Sequence, residues 1–98
     1  MYKFDWDERK NRTNIEKHGV SFEEAKTVFY DEYGWLEYDE GHSSNEERFR
    51  IIGNSIFGNV LIVVHCVREN EIIRIISSRK ATASETKGYN TRRNGYGR

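Results

Sequence analysis

The sequence predicts an α+β fold, in which a mainly antiparallel sheet is combined with two N-terminal helices and one C-terminal helix. Three observations predict it. Helix caps and apolar residues at helical spacing occupy roughly the first 30 residues. Four short segments rich in β-branched residues follow and are separated by turn residues. A last capped segment begins near Thr82.

The first part of the chain predicts one strand and two helices. Aromatic residues alternate with charged ones at the start, as in a short strand: Tyr2, Phe4 and Trp6. Asp7 can cap a helix over about 8–18, and Gly19 can end it because glycine adopts the left-handed conformation without strain. Ser21 and Glu24 form a capping box that opens a second helix. The apolar stripe of that helix consists of Phe22, Ala25, Val28 and Phe29.

The apolar period changes after about Asp31, and four strands are predicted over residues 34–39, 47–54, 60–67 and 72–78. Gly58-Asn59 and Glu69-Asn70 are turn signals between the last three strands. Because residues 60–67 are apolar at nearly every position, this strand is expected to be central and buried on both faces.

The C-terminal part of the chain predicts a final helix over about 82–89. Residues 90–98 have no apolar period and are expected to fray. We therefore expect a single domain over residues 1–90 and a frayed tail over residues 91–98.

Composition excludes several classes of protein. Aromatic residues make up 13% of the 98 residues, which argues against wholesale disorder. The single cysteine, Cys66, excludes an internal disulfide and a cysteine-based zinc site, and the three histidines lack metal-ligand spacing, so neither a metal nor a cofactor is expected. No apolar run approaches the ~20 residues that span a bilayer. No secretory signal is recognisable, so we expect a cytoplasmic protein that does not bind a membrane.

The net charge of zero conceals an asymmetry. Residues 1–50 carry 13 acidic and 8 basic side chains, whereas residues 51–98 carry 3 and 8. Such a chain could bind an anion with one side and a basic partner with the other. The alternative is an uneven scatter of solvated charges.

Arginines within the predicted strands are candidate functional residues. Strict alternation puts Arg48 and Arg50 on one face of their strand. In the last strand it puts Arg79 on the same face as Ile75, and Arg74 on the opposite face. A guanidinium group matches phosphate oxygens bidentately, and it is costly to bury without an anion or water. The arginines therefore predict either a phosphate site or a sheet face that is open to solvent.

Three histidines are candidate acids or bases. His18 lies at a helix C-terminus, where it could cap the helix or transfer a proton. His42 lies in a polar loop and could be a mobile acid or base, or part of a plain loop. His65 lies in the most apolar strand and is expected to be a hydrogen-bonded core histidine, next to a buried Cys66.

Carboxylates and one tyrosine complete the candidates. Glu46, Glu47 and Glu85 could accept a proton from a ribose hydroxyl or serve as counter-ions of arginine. Tyr89, one helical turn after Glu85, could stack on a base or anchor the last helix.

Two blocks of sequence carry a resemblance to a known family. The first, Asn14-x-x-Lys17-His18-Gly19-Val20-Ser21-Phe22-Glu23-Glu24-Ala25, follows Phe4-x-Trp6-Asp7. The second, Arg74-Ile75-Ile76-Ser77-x-Arg79-x-Ala81, is preceded by Glu47-Arg48-Phe49 and followed by Glu85 and Tyr89. With these blocks the chain resembles the BrnT family of toxins over residues 4–89.

The resemblance implies a RelE-like fold and a ribonuclease that arrests translation. It implies a hetero-oligomer with a BrnA-type antitoxin, whose DNA-binding portion resembles a ribbon-helix-helix dimer. It adds weight to a basic site of Arg48, Arg68, Arg74 and Arg79. The expected catalytic residues are Arg48, Arg74 and Arg79, with Glu47, His18 or His42 as the base; the expected RNA-binding residues are Arg50, Arg68, Lys80 and Tyr89. Cleavage without a metal ion is expected. The alternatives are a non-catalytic nucleic-acid-binding module and a protein-interaction domain.

Overall fold

The computed structural model describes residues 1–42 and 46–96, except for the side chains of His42 and Tyr96. Within these residues the strands are β1 (Lys3–Asp5), β2 (Trp35–Tyr38), β3 (Phe49–Asn54), β4 (Val60–Arg68) and β5 (Ile72–Lys80), and the helices are α1 (Glu8–His18), α2 (Phe22–Thr27) and α3 (Ala83–Tyr96). The strands form one mixed sheet in the order β1-β5-β4-β3-β2. β1 is parallel to β5, and the other neighbouring strands are antiparallel. The predicted α+β class is confirmed.

The predicted caps define α1. The Asp7 side chain accepts hydrogen bonds from the backbone N–H groups of Arg9 and Lys10. Gly19 ends the helix with φ of 69°, and its N–H donates to the Ile15 carbonyl at 2.8 Å. A left-handed residue at this position is favourable for glycine and costly for other residues. The position of His18 at the end of α1 therefore follows from the local sequence.

Buried asparagines, rather than an apolar stripe, attach α1 to the sheet. The Asn14 amide donates to the carbonyls of Val20 (2.8 Å) and Ser78 (2.7 Å), and its oxygen accepts from the Ser78 N–H at 3.0 Å. Asn11 accepts from the Phe22 N–H at 2.9 Å. Since buried amides must be hydrogen-bonded, these contacts fix α1 against β5.

The hydrophobic core lies between α2 and one face of the sheet. Its buried members are Val20, Phe22, Ala25, Val28, Ile51, Leu61, Val63 and Ile75. Gly53 in β3 allows close packing here, because a Cβ atom at this position would lie 2.8 Å from Val28 Cγ1. β4 is central, with Leu61, Ile62, Val63 and Cys66 all buried, as predicted.

A β-bulge in β5 changes the alternation of its side chains. Val64 pairs with Ser77, but His65 pairs with Ile75, so Ile76 is the extra residue. An extra residue moves every later side chain to the opposite face. Arg79 therefore lies on the same face as Arg74, and the prediction of opposite faces, with Arg79 beside Ile75, was wrong.

Two helices end at different positions from those predicted. α2 ends at Thr27, and residues Val28–Tyr30 continue as a 3-10 helix. α3 continues to Tyr96, so the prediction that residues 90–96 fray was wrong. Tertiary contacts hold this last part: the Arg92 guanidinium lies over the Trp35 ring, and Arg93 lies 5.2 Å from the Tyr33 ring centroid. Residues 97–98 of the predicted tail lie outside the described residues.

The helices of residues 1–42 and 46–96 include none with both the length and the apolarity that a membrane span requires.

Candidate active site

All five arginines that the sequence singled out lie on the same face of the sheet. Strand pairing, with the bulge in β5, places them opposite the face that packs against α2. We call this surface the arginine face; its arginines are Arg48, Arg50, Arg68, Arg74 and Arg79. α3 lies against part of it, since Gly88, Tyr89 and Arg92 line a pocket together with Ile52 and Ile62.

Carboxylates lie within ion-pairing distance of Arg50, Arg68, Arg74 and Arg79. The ion pairs are Arg50–Glu37, Arg68–Glu46 and Arg74–Asp5, each at 3.3 Å, and Arg79–Glu85 at 2.8 Å. The paired side chains are 30% to 52% exposed. Exposed ion pairs contribute little net free energy, so a phosphate group could replace the carboxylate partners of Arg68 and Arg74 at small cost.

A groove of about 270 Å³ at the bulge brings together four of the predicted site residues: His18, Arg48, Arg50 and Arg79. We call it the His18 groove; its polar lining is His18, Asp39, Arg48, Arg50, Ser77, Ser78 and Arg79. Asn14 positions the two sides relative to each other, because it lies one turn before His18 and bonds Ser78, the neighbour of Arg79. The groove thus combines an imidazole with three guanidinium groups around one cavity.

A second pocket, of about 340 Å³, adjoins this groove. We call it the α3 pocket; it is lined by Trp35, Glu37, Arg50, Ile52, Ile62, Arg79, Glu85, Gly88, Tyr89 and Arg92. Arg50, Ile62 and Arg79 line both spaces, so the two are adjacent.

Glu85 is a counter-ion of Arg79. Arg79 donates from Nη1 and Nη2 to the two carboxylate oxygens at 2.8 and 3.0 Å. Glu85 also accepts from the Thr82 N–H, and the Glu85 N–H bonds the Thr82 hydroxyl, which makes a capping box at the start of α3. The Arg79 hydrogen bonds, followed by the Thr82 N–H, lower the pKa of Glu85 to about 2. Such a weak base is poorly suited to accept a proton from a ribose hydroxyl.

Tyr89 anchors α3. Its side chain is 3% exposed, and its hydroxyl donates to Asp31 Oδ2. Burial, followed by the hydrogen bond to Asp31, raises the pKa of Tyr89 to about 12. Because the ring is enclosed, the structure favours the predicted anchoring role over stacking on a base.

Five of the predicted site residues whose side chains the structure describes do not line the His18 groove: Glu47, Arg68, Arg74, Lys80 and Tyr89. Glu47 is exposed and lines neither the groove nor the α3 pocket. Lys80 pairs with Leu61 and so lies on the opposite face of β5 from Arg79. The backbone of His42 ends a short 3-10 helix, but its side chain lies outside the described part of the chain.

His65 is a core residue, as predicted. It is 3% exposed, its Nδ1 lies 3.2 Å from the Val63 carbonyl, and its ring packs against Phe29 at a centroid distance of 4.7 Å. Burial lowers its pKa. The neighbouring Cys66 is also buried.

The sequence-based search missed three residues of this surface. Trp35 and Glu37 line the α3 pocket, and Asp39 lines the His18 groove, where it is 6% exposed. Their alternation along β2 was a usable signal, because it predicts that all three share one face. In the described ranges 1–42 and 46–96, no group of three or more His, Cys, Asp or Glu side chains could hold a metal ion.

Comparison with known proteins agrees with the resemblance in the sequence. Residues 6–85 match the family of the ribonuclease toxin BrnT of type II toxin–antitoxin systems. The chain belongs to the BrnT family. Its structure is similar to the 1.1 Å crystal structure of the Brucella abortus ribonuclease toxin BrnT, with a TM-score of 0.66 and 25% sequence identity. The similarity covers 84% of this chain and 99% of that chain. No protein with a curated description matches the sequence.

Membership of the BrnT family makes this protein a ribonuclease toxin of a type II toxin–antitoxin system. The family therefore implies an RNA target and an antitoxin partner. The arginine face is the candidate surface for the RNA, because phosphate contacts from arginine dominate the binding of nucleic acids.

Proposed function

We propose that this BrnT-family toxin is a metal-independent endoribonuclease whose His18 groove binds the scissile phosphate. The ribose 2′-hydroxyl attacks the adjacent phosphorus and loses its proton to a general base, the bond from phosphorus to the 5′-oxygen breaks, and the 5′-oxygen takes up a proton from water. The products are a 2′,3′-cyclic phosphate and a 5′-hydroxyl. The observation that supports this most strongly is the meeting of His18, Arg48, Arg50 and Arg79 around one cavity.

His18 is the proposed general base. It lines the groove, whereas Glu47 does not line it and Glu85 is paired with Arg79. An imidazole suits this role because it can hold or release a proton near neutral pH. Asn14 acts as a positioning residue, since its hydrogen bonds connect the helix of His18 to β5.

The arginines of the groove are proposed to hold the phosphate. Guanidinium groups donate parallel hydrogen bonds to phosphate oxygens and stabilise the charge that develops in the transition state. Arg79 has five N–H donors, of which two meet Glu85 and one meets the Lys80 carbonyl, so Glu85 can fix its orientation while the other donors face the substrate. Arg68 and Arg74 extend the same face and are proposed to bind flanking phosphates.

The proposed partner is a BrnA-type antitoxin with a ribbon-helix-helix DNA-binding portion. Support comes from the BrnT family match, since type II toxins are paired with protein antitoxins. We propose a hetero-oligomer in the cytoplasm, tested by co-expression with the neighbouring antitoxin gene. We expect the antitoxin to co-purify with the toxin and to restore growth. Growth arrest that the antitoxin does not relieve would contradict the pairing.

End-labelled RNA tests the chemistry. Purified toxin is incubated in excess EDTA with an RNA and with a twin that carries deoxyribose at the cut site. We expect the toxin to cleave the RNA and to leave a cyclic or 3′-phosphate and a 5′-hydroxyl. The twin should stay intact because it lacks the 2′-hydroxyl nucleophile. Dependence on added magnesium, or a 5′-phosphate product, would contradict the mechanism. Tight, salt-sensitive binding without cleavage would favour the non-catalytic binding module.

Neighbouring residues of β5 supply a matched pair of variants. Arg79→Ala is expected to reduce the cleavage rate by about 10²–10³-fold and to abolish toxicity, because it removes a group that stabilises charge. Lys80→Ala removes an equal charge one residue later, but on the opposite face, and is expected to keep activity. Circular dichroism checks that both variants fold. If both variants kept equal activity, Arg79 would not belong to the site.

A further inference from the structure

We propose that the α3 pocket binds the nucleobase next to the scissile phosphate, and that Glu37 selects guanine there. This inference rests on the proposed function, because it treats the pocket and the His18 groove as neighbouring subsites for one RNA strand. It adds a specificity-determining residue that takes no part in the bond-breaking step.

The adjacency of the two spaces is the first argument. Arg50, Ile62 and Arg79 line both the α3 pocket and the His18 groove. A phosphate held by Arg50 and Arg79 would therefore place its neighbouring nucleotide at the entrance of the α3 pocket. The volume of about 340 Å³ is within the range of small-molecule sites.

The pocket offers flat and apolar surfaces to a base. Ile52 and Ile62 come from paired positions of β3 and β4, and both line the pocket. The Arg92 guanidinium lies over the Trp35 ring, and both groups line the same space. Unpaired RNA bases stack on aromatic rings and on guanidinium planes, so these surfaces suit a planar ring.

Two of the arginines that line the pocket bring guanidinium donors to it, and each also has one enclosed donor without an acceptor. The Nε atom of Arg50 and the Nη1 atom of Arg92 are both buried and have no acceptor among the described residues. Buried donors without partners are unfavourable and rare in folded proteins. The remaining N–H groups of these two side chains are the donors that a bound ring with carbonyl or ring-nitrogen acceptors could use.

Glu37 supplies the complementary acceptor. Its carboxylate lies 3.3 Å from Arg50 Nη2, so an acceptor group and donor groups stand side by side in the pocket. Guanine matches this arrangement because O6 and N7 accept from a guanidinium group, as in the commonest arginine–base contact. Its N1–H and N2 amino group are adjacent donors for a carboxylate, a pair that adenine, cytosine and uracil lack.

Removal of the N2 amino group from the substrate base tests whether Glu37 selects guanine. The cut sites of the wild-type toxin are first mapped on RNA, and guanine is expected on one side of the cut. That guanosine is then replaced by inosine, which lacks only the N2 amino group. The wild-type protein is expected to cleave the inosine substrate about tenfold more slowly. Glu37→Gln is expected to cleave both substrates at similar rates.

Glu23→Gln is the matched control. Glu23 is also an exposed glutamate in a single ion pair, with Lys26 at 2.9 Å, but it lies on α2, which packs on the opposite face of the sheet. This variant is expected to keep the wild-type ratio of guanosine to inosine cleavage. No guanine at the cut sites, or equal wild-type rates on the two substrates, would overturn the inference.

Nucleotide binding separates this inference from the proposed function. If the wild-type toxin cleaves no RNA under any condition, the proposed function fails, and the pocket is tested by calorimetry instead. Guanosine 3′-monophosphate is expected to bind about tenfold more tightly than inosine 3′-monophosphate, and Glu37→Gln is expected to remove the difference. Equal binding of the two nucleotides by the wild-type protein would overturn the inference.

Discussion

Glutamine in place of Glu85 isolates the charge pair that connects α3 to the arginine face. Glu85 accepts from Arg79 at 2.8 and 3.0 Å and from the Thr82 N–H at 2.8 Å. Glutamine can keep the bond to Thr82, because it also serves as the third residue of a capping box. Glu85→Gln therefore removes mainly the ionic contact with Arg79, and we expect it to destabilise the fold.

The size of the effect follows from the pKa of Glu85, which is lowered from 4.5 to about 2. For a fully enclosed group such a change corresponds to about 3.4 kcal/mol of unfolding free energy. The side chains of Arg79 and Glu85 are 40% and 34% exposed, so solvent screening reduces the contribution. We expect Glu85→Gln to lose about 1–2 kcal/mol at pH 7, with a fall in Tm of about 4–8 °C for each kcal/mol.

The unfolding free energy that Glu85→Gln loses becomes smaller as the pH falls. At pH 7 Glu85 is ionised in both the folded and the unfolded protein, so the wild-type protein has the full contribution of the pair. Below pH 4.5 the unfolded chain takes up the proton first, since the pKa of the folded carboxyl is about 2. The contribution therefore declines as the pH falls from about 4.5 to 2, and the difference between wild-type and variant closes over that window.

Urea unfolding followed by circular dichroism at pH 7, 4 and 2.5 measures both quantities. Glu23→Gln serves as control, because its ion pair with Lys26 is highly exposed and should contribute less than about 0.5 kcal/mol. Two results would refute the reasoning: a variant as stable as the wild-type protein at pH 7, or a difference that stays constant down to pH 2.5.

Three further substitutions test how the site is supported. Asn14→Ala removes three buried hydrogen bonds between α1, the following loop and β5, and should cost about 3 kcal/mol in urea unfolding; a loss under 1 kcal/mol would contradict the role of Asn14. Gly53→Ala would place a Cβ atom 2.8 Å from Val28 Cγ1 and should lower the free energy of unfolding by about 1–3 kcal/mol; an unchanged Tm would show that β3 can shift to accommodate the added atom. Tyr89→Phe deletes the hydrogen bond to Asp31 and should cost about 1 kcal/mol, with faster amide exchange in α3 than in β4; uniform exchange rates would argue against an anchor.

Local signals in the sequence were sufficient for most elements. The Asp7 and Ser21 side chains accept hydrogen bonds from backbone N–H groups two or three residues later, and the Gly19 N–H donates to a carbonyl four residues earlier. The boundaries around α1 and α2 therefore follow from short-range chemistry. β4 was recognisable because a central strand buried on both faces must be apolar at nearly every position. The family resemblance, confirmed over residues 6–85, rests on short blocks of the same kind.

Only the tertiary structure shows which arginines share a face of the sheet. Strict alternation separated Arg74 from Arg79, but the bulge at Ile76 brings them to one face. A bulge depends on pairing with a partner strand, and here Val64 and His65 of β4 pair on either side of it, so β5 alone carries no sign of it.

The length of α3 and the meeting of His18 with Arg79 were also decided at the tertiary level. α3 has no apolar period beyond Tyr89, and contacts of Arg92 with Trp35 accompany its continuation to Tyr96. His18 and Arg79 are separated by 60 positions, and the amide of Asn14 brings their elements together. The sequence determined which residues carry the charge and the caps, because those properties are local. Only the folded chain determined which of them share a cavity, because that depends on hydrogen bonds and strand pairings between distant residues.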